Sequence, residues 1–268
     1  MFSHTSVAHL AIFLGILAGP FDWAPEAEAQ AQDFRIETHV YVGDEPDPIS
    51  HAVTLFAAGV VYDFVDDPAQ TAVFRHPTAT RPGQFILLDP GGQRRTEIST
   101  ERIERLMKKL SRWAEKQDDE LLKFSAKPEF EETFDDSTGL LTLSSPVWTY
   151  HVATVPAEQP STLARFREFS DWYARLNTMM QATPPPLPRL KLNEALTRHG
   201  VIPVEIRRTV SEESTELRAT HLFSWRLSRS DHARLDEVRR HLANFDKVEN
   251  KTFLAHLSDS SVVRGQSQ

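Results

Sequence analysis

Hydrophobic and polar positions alternate with a period of two over much of the chain between residues 34 and 98, and no helical period is present there. The alternating or fully apolar runs are FRIETHVYV, HAVTLFAA, GVVYDFV, TAVFRH, QFILLD and RRTEIS. The segments between them, DEPDP, DDPAQ, PTATRPG and PGG, favour turns because proline fixes φ and glycine allows positive φ. This pattern predicts an antiparallel meander. Apolar residues on both faces of the second and third runs predict cover on both sides.

A helical spacing of apolar residues begins after this meander. Residues 101–114 carry one apolar stripe behind a cap at Ser99 or Thr100. Residues 161–182 carry a much wider apolar face than the ~100° that a surface helix buries. Its members are Leu163, Phe166, Phe169, Trp172, Tyr173, Leu176, Met179 and Met180. Two interpretations stay open for this helix: the main core helix, or a movable cover over an apolar cavity.

The rest of the chain continues the alternation of strands and helices. The pattern predicts three strands between residues 130 and 152, a stiff proline spacer at 184–188 and a short helix at 190–199. A hairpin of 201–210 with 217–227, a capped helix from Ser228 or Ser230, and a closing strand at 245–257 follow. We therefore predict an α+β fold in one domain, residues 30–257, with a disordered tail at 258–268. Its curved antiparallel sheet would form an incomplete barrel covered by amphipathic helices.

Composition narrows the function classes. The hydrophobic fraction of 40% and charged fraction of 25% are ordinary for a soluble globular protein. A formal net charge of -8, with basic pairs interleaved among acids, argues against a nucleic-acid surface. The absence of cysteine excludes disulfides, thiolate catalysis, iron–sulfur clusters and thiolate zinc sites.

The amino terminus has the pattern of an export signal. Residues 7–19, VAHLAIFLGILAG, form an apolar run shorter than the roughly twenty residues that span a bilayer. Two small-residue cleavage motifs follow, AEA at 27–29 and AQA at 29–31. We predict a signal peptide at 1–29 with cleavage near Ala29 or Ala31, which makes the mature protein extracytoplasmic, periplasmic or secreted. An uncleaved membrane anchor is the alternative.

Candidate chemistry is sparse. The eleven histidines include no HExxH or HxH spacing. His39, His151 and His221 fall within predicted strands, where a lone histidine is more often a structural hydrogen-bonding residue than part of a shared site. The acid pairs at 66–67 and 135–136 adjoin turn formers and fit turn roles. No GxSxG, GxGxxG or P-loop motif occurs, so the sequence predicts no catalytic residue, metal ligand or cofactor.

The order of elements resembles a known family. An export signal precedes strands with TLFAAGVVYDFV and QFILLDPGGQRRTEI, a helix, further strands, and then GVIPVEIRRTV paired with TELRATHLFSWRLS. This order resembles the periplasmic lipoprotein-carrier superfamily (LolA-like) over residues 34–227. The resemblance implies an incomplete barrel whose mouth is plugged by helices and whose apolar hollow receives lipid acyl chains. The proline insertion, the long second helix and the extra carboxyl-terminal helix depart from the family and put lipoprotein transfer in question more than the fold.

We therefore expect an exported, non-enzymatic carrier or binder of lipid-like apolar ligands. An extracytoplasmic interaction or scaffold protein and a hydrolase of unknown substrate are the alternatives. A cavity of roughly 300–1,000 Å³ would favour the carrier, a packed interior the scaffold, and convergent His, Asp and Ser the enzyme. The expected partners are a lipid or other apolar ligand and an envelope protein, not nucleic acid. The candidate cavity and lid residues are Phe56, Tyr62, Phe64, Phe85, Trp113, Trp148, Phe166, Phe169, Trp172 and Tyr173.

Overall fold

The computed structural model describes residues 32–67, 69–211 and 216–255. The strands are β1 (Phe34–Val42), β2 (Ser50–Ala57), β3 (Val60–Val65), β4 (Gln70–Arg75), β5 (Gln84–Asp89), β6 (Arg94–Ser99), β7 (Glu131–Asp135), β8 (Leu140–Ser144), β9 (Trp148–Pro156), β10 (Val201–Val210), β11 (Leu217–Ser224) and β12 (Asp246–Lys247). The helices are α1 (Thr100–Ala114), α2 (Glu120–Ala126), α3 (Pro160–Gln181), α4 (Leu187–Arg198) and α5 (Arg229–Asn244), and residues 250–255 are also helical. The predicted signal peptide and the predicted disordered tail lie outside the described residues.

All twelve strands belong to one sheet. Their order is β12-β6-β5-β4-β3-β2-β1-β11-β10-β9-β8-β7. Neighbouring strands are antiparallel, except that β12 runs parallel to β6. Within the described ranges the edge strands β12 and β7 do not pair, so the sheet is open. The prediction of an α+β fold on a large, mainly antiparallel sheet is confirmed at this level.

Tight turns hold the meander in register. Between β2 and β3, Ala58 and Gly59 have φ values of 48° and 75°, as a type I′ hairpin turn requires. Between β7 and β8, Gly139 has a φ of 69°, and a Cβ atom there would lie 2.6 Å from the carbonyl oxygen of Thr154. Only glycine therefore fits this second turn.

The main core lies between one face of the sheet and the helices α1 and α3. The sheet contributes four fully buried phenylalanines, and the helices cover them with apolar stripes of helical period. The sheet residues are Phe34, Phe56, Phe74 and Phe85, and the helical residues include Ile103, Met107, Phe166, Phe169 and Leu176. Helix α4 extends the same layer over β8, β9 and β10.

Helix α5 covers the opposite face. Leu235 packs against Val53 and Leu55 of β2. Val238 packs in a second cluster with Val73 of β4 and two apolar residues of β5. Both faces of the central strands are therefore covered, as the apolar residues on both sides of β2 and β3 predict. Within the described part of the chain, no helix is both long and apolar enough to cross a membrane.

Two predicted segments differ in the structure. The closing strand predicted at 245–257 is wrong, because among the described residues of this segment only Asp246–Lys247 pairs as a strand and 250–255 are helical. Phe253 comes five positions after Val248, and an offset of five would send the two side chains to opposite faces of a strand, yet both enter the same core cluster. The proline spacer is shorter than predicted, since Pro188 lies in the first turn of α4, where its missing N–H is tolerated.

Candidate ligand-binding cavity

A cavity of about 500 Å³ lies between α3 and the face of the sheet that carries the main core. Asp67 and Gln181 are exposed and stand at its rim. The sheet side is formed by Ile36, Thr38, Val40, Ser50, Ala52, Thr54, Asp63, Val65, Gln70 and His221. The helical side is formed by Phe166, Phe169, Ser170, Tyr173, Ala174, Asn177 and Met180 of α3, with Arg189 of α4.

The cavity exists because the side chains of β2 become small along one face. Phe56 is fully buried against α3, with its ring 5.8 Å from that of Phe169 in an edge-on contact. The next residues on the same face are Thr54, Ala52 and Ser50, because side chains alternate along a strand. These short side chains cannot reach the helix, so the gap between α3 and the sheet stays open.

Helix α3 contributes both to the packed core and to the wall of the cavity. Leu163, Phe166, Phe169 and Leu176 are buried, which fits the interpretation of α3 as a core helix. The residues that face the cavity recur at three- and four-residue intervals, the spacing of one helical face. Its wide apolar surface is therefore divided between the packed core and the cavity.

Asp63 is a buried acid in the wall of the cavity. It is 3% exposed, and its Oδ1 atom accepts a 2.6 Å hydrogen bond from the hydroxyl of Thr54. Its Oδ2 atom has no partner at hydrogen-bond distance among the described residues. Burial raises the pKa of Asp63, and interactions with Thr54 and the hydroxyl of Tyr173 only partly offset this. Burial, reinforced by the charge of Asp63, raises the pKa of Tyr173.

His221 of β11 is held neutral on the other side of the cavity. Its Nδ1 atom shares a 3.0 Å hydrogen bond with Oγ1 of Thr38, while its buried Nε2 atom has no partner in the described part of the chain. Burial, together with the positive charge of Arg189, lowers the pKa of His221 to about 3. The imidazole is therefore uncharged near neutral pH.

Arg189 brings a positive charge to the same region. Its Nε atom donates a 3.1 Å hydrogen bond to Asn193, whose amide nitrogen donates a 2.7 Å hydrogen bond to Asp171. Its two terminal nitrogens make no hydrogen bond or ion pair with the described residues. Burial lowers the pKa of Arg189, and the nearby Tyr150 and Asp171 raise it in part. An arginine remains charged in a protein. Among the described residues, the site therefore holds a cation with no carboxylate in contact with it.

The aromatic candidates from the sequence divide between the cavity and other places. Phe166, Phe169 and Tyr173 line the cavity. Phe56 and Phe85 are fully buried in the main core beside it, and Trp172 packs against that core without lining the cavity.

The other four candidates lie away from the cavity. Tyr62 and Phe64 pack beneath α5, because they alternate with Asp63 along β3 and so face the opposite side. Trp148 belongs to the cluster beneath α4. Trp113 is 50% exposed and does not line the cavity, although α1 covers the sheet through other residues such as Ile103 and Met107.

Apart from Tyr173, the polar residues of the cavity are absent from the cavity and lid candidates, although the sequence singles out His221 as a strand histidine. The sequence did mark Asp63, because it is an acidic residue that stands between Val61 and Val65 on one face of an otherwise apolar strand. No local pattern in the sequence brings His221 and Arg189 together, because their proximity depends on how α4 packs against the sheet.

The three strand histidines singled out from the sequence do not converge. His221 pairs with Thr38, so the adjacent His39 faces the other side of the sheet. The register of β1 and β2 instead pairs His39 with His51, and Glu37 lies on the same face. One ring nitrogen of each histidine and a carboxylate oxygen of Glu37 lie within 4.8 Å of one another, close enough to hold a metal ion.

A second hollow, of about 570 Å³, lies beside β6. Glu97, Arg102, Lys247 and Lys251 contribute to its lining, and it is more open to solvent than the cavity beneath α3. Lys247 donates a 2.6 Å hydrogen bond to Glu97 within it. This charged surface groove suits an apolar ligand less well than the cavity beneath α3.

No protein-family model matches the chain, and no curated protein matches it significantly.

Proposed function

We propose that this protein is a non-enzymatic carrier or binder of lipid-like ligands that carry an acidic group, and that the open sheet serves as an incomplete barrel around them. The observation that carries this proposal is the cavity of about 500 Å³ beneath α3. Its volume lies within the ~300–1,000 Å³ of small-molecule sites.

The lining of the cavity matches an amphipathic ligand. Apolar side chains, among them Ile36, Val40, Phe166, Phe169 and Met180, offer surface to an acyl chain. His221 lies on the β11 side and Asp63 on the β3 side, so polar groups flank this apolar surface. A ligand with an apolar body and a polar head can satisfy both.

Arg189 indicates the charge of the head group. Buried cations are generally paired with an anion, because the loss of hydration is costly without one. The terminal nitrogens of Arg189 have no partner among the described residues, and a guanidinium group binds a carboxylate through two parallel hydrogen bonds. A fatty acid carboxylate supplies such an anion.

The contacts within the cavity favour binding over hydrolysis. Catalysis by a nucleophile needs a base within hydrogen-bond reach and a third group that orients the base. The described contacts join His221 to Thr38 and Asp63 to Thr54, and none joins the histidine to a carboxylate. A histidine with a pKa of about 3 is also a weak base at neutral pH.

The test is a binding titration with the delipidated full-length protein. A fluorescent fatty acid analogue reports binding, and palmitate and hexadecanol compete for the site. We expect micromolar binding, with palmitate the stronger competitor. Arg189→Gln should weaken palmitate about tenfold, the equivalent of 1.4 kcal/mol, and change hexadecanol little.

Arg167→Gln is the matched control, because Arg167 is an arginine of α3 that does not line the cavity. It should leave both competitors unchanged. Failure of every probe to bind at tens of micromolar would refute the carrier. Native mass spectrometry of protein from its own host adds an independent reading, since a bare polypeptide mass would also count against it.

The export of the protein and its relation to the lipoprotein carriers remain part of this proposal. The sequence around Ala29 and Ala31 supports export, and the resemblance in the order of strands supports the carrier relationship. Amino-terminal sequencing of the secreted or periplasmic protein should begin at Gln30 or Gln32.

A further inference from the structure

We infer that Glu37, His39 and His51 form a binding site for a divalent first-row metal ion, represented by Zn²⁺, on the sheet face opposite the lipid cavity. This site is independent of the proposed carrier function. It uses only side chains that β1 and β2 present on one surface.

The register of the two strands brings the three ligands together. His39 and His51 are directly opposite each other in the antiparallel pair, and their rings are 4.6 Å apart. Glu37 precedes His39 by two residues and therefore points to the same face. Its Oε1 atom lies 3.3 Å from Nε2 of His51 and 4.0 Å from Nε2 of His39.

These separations are close to those of a loaded site. Zn–N and Zn–O bonds of ~2.0–2.2 Å put neighbouring tetrahedral ligands about 3.3 Å apart. The longest separation among the three ligand atoms is within 4.8 Å, so rotation of the side chains on fixed strands can close the set. The donors, two imidazole nitrogens and one carboxylate, suit Zn²⁺ and its neighbours in the first transition row.

The surrounding residues orient these ligands. Asp66 contacts Nδ1 of His51 through its carboxylate, which leaves Nε2 of that ring as the metal-binding atom. Arg35 donates a 2.6 Å hydrogen bond to Oε2 of Glu37, so the other carboxylate oxygen, Oε1, faces the histidines. A carboxylate behind a metal-binding histidine is the usual arrangement in metal sites.

The site is accessible from solvent. The side chains of Glu37, His39 and His51 are 29%, 33% and 27% exposed, so an ion can enter without any movement of the backbone. Three protein ligands leave a coordination position for water or another small ligand. The inference concerns binding of the ion and assigns no reaction to it.

The experiment measures Zn²⁺ binding to chelator-treated, full-length protein by competition with a fluorescent zinc indicator. We expect one equivalent to bind with micromolar or tighter affinity. His39→Ala, His51→Ala and Glu37→Gln should each weaken binding at least tenfold, and Asp66→Asn should weaken it about 10- to 100-fold through the orientation of His51.

His151→Ala is the control, because His151 is also a strand histidine but is exposed, and among the described residues its side chain hydrogen-bonds only Thr142, at 3.3 Å. Circular dichroism establishes that each variant is folded. Visible absorption of the Co²⁺-loaded protein gives a second reading, since nitrogen ligands in a four- or five-coordinate site intensify the Co²⁺ bands. The inference is overturned if Zn²⁺ does not bind at tens of micromolar, or if His39→Ala and His51→Ala behave like His151→Ala.

Discussion

The hydroxyl of Thr54 donates a 2.6 Å hydrogen bond to Oδ1 of Asp63, and the two residues face each other directly across β2 and β3. This pair places a carboxyl group within the wall of the cavity beneath α3. The other carboxylate oxygen, Oδ2, has no partner at hydrogen-bond distance among the described residues, although the Tyr173 hydroxyl interacts with the carboxyl group. The pair therefore makes the stability of the protein depend on pH.

Asp63→Asn should make the protein more stable than the original chain, and the difference between the two should grow as pH rises. Because burial raises the pKa of Asp63 above 3.8, its folded form is favoured while the group is protonated. The stabilisation that protonated Asp63 gives to the folded state is complete below pH 3.8. It is lost as pH rises through the higher pKa that Asp63 has in the folded state. Asparagine keeps an acceptor for Thr54 but cannot ionise. Urea unfolding between about pH 4 and about pH 8 measures the difference.

Asp135→Asn is the control, because its effect on stability should change with pH in the opposite direction. Hydrogen bonds from Ser137 and Thr138 lower the pKa of this exposed carboxyl group, so its contribution is present above the ordinary pKa and lost in acid. The Asp135 variant should therefore lose stability relative to the original protein as pH rises. Parallel trends for the two variants would contradict the assignment for Asp63.

His221 should make the protein less stable in mild acid. Its pKa falls from 6.5 to about 3 on folding, so only the unfolded chain takes up this proton between those values. The contribution of His221 to the free energy of unfolding is complete above pH 6.5 and is smaller by ~2 kcal/mol at pH 5. His221→Asn should be less stable than the original protein at pH 7.5, and the gap should narrow by that amount at pH 5.

The measurement is urea unfolding of both proteins at the two pH values. His232→Asn, at an exposed position of α5, serves as the control for substitution of a histidine. An unchanged gap between His221→Asn and the original protein would show that His221 does not carry this acid sensitivity.

Substitution of Phe169 tests whether α3 packs against the sheet as a core helix. It is 6% exposed, and its ring lies 5.8 Å from Phe56 and 5.1 Å from Tyr173. Phe169→Ala should lower the free energy of unfolding by about 3–5 kcal/mol. Trp113→Ala on α1 should lower it by less than about 1 kcal/mol, because half of that side chain is exposed. Equal losses in chemical denaturation would argue that α3 sits loosely on the sheet.

The strands were predictable from the sequence because their signal is local. Alternation along residues 34–98, together with turn residues between the runs, predicts the meander that the structure contains. The prediction of a closing strand at 245–257 was wrong because the structure of this segment depends on contacts with residues distant in the sequence. Val248 accepts a hydrogen bond from the Thr96 hydroxyl, while Phe253 turns into the core on a helix.

The cavity was harder to predict, for a physical reason. A search for large aromatic side chains finds the residues that fill space, such as Phe56 and Phe85. A cavity forms where side chains are too small to fill it, as at Ser50 and Ala52. Its charged member, Arg189, comes from another helix, and no local pattern relates it to the sheet.

The presence of the cavity can be tested by filling it. Ala174 lies on α3 and lines the cavity, whereas Ala114 at the end of α1 is fully buried and does not. Ala174→Phe places a ring into existing space, so the free energy of unfolding should change by less than about 1 kcal/mol, while Ala114→Phe should lose about 1–3 kcal/mol or more from overpacking. Ala174→Phe should also weaken the fluorescent fatty acid analogue at least tenfold, because the ring occupies the volume of the acyl chain. Chemical denaturation and the binding titration check the two effects on the same samples. If Ala174→Phe destabilises the protein as strongly as Ala114→Phe does, α3 packs directly on the sheet and the carrier proposal loses its cavity.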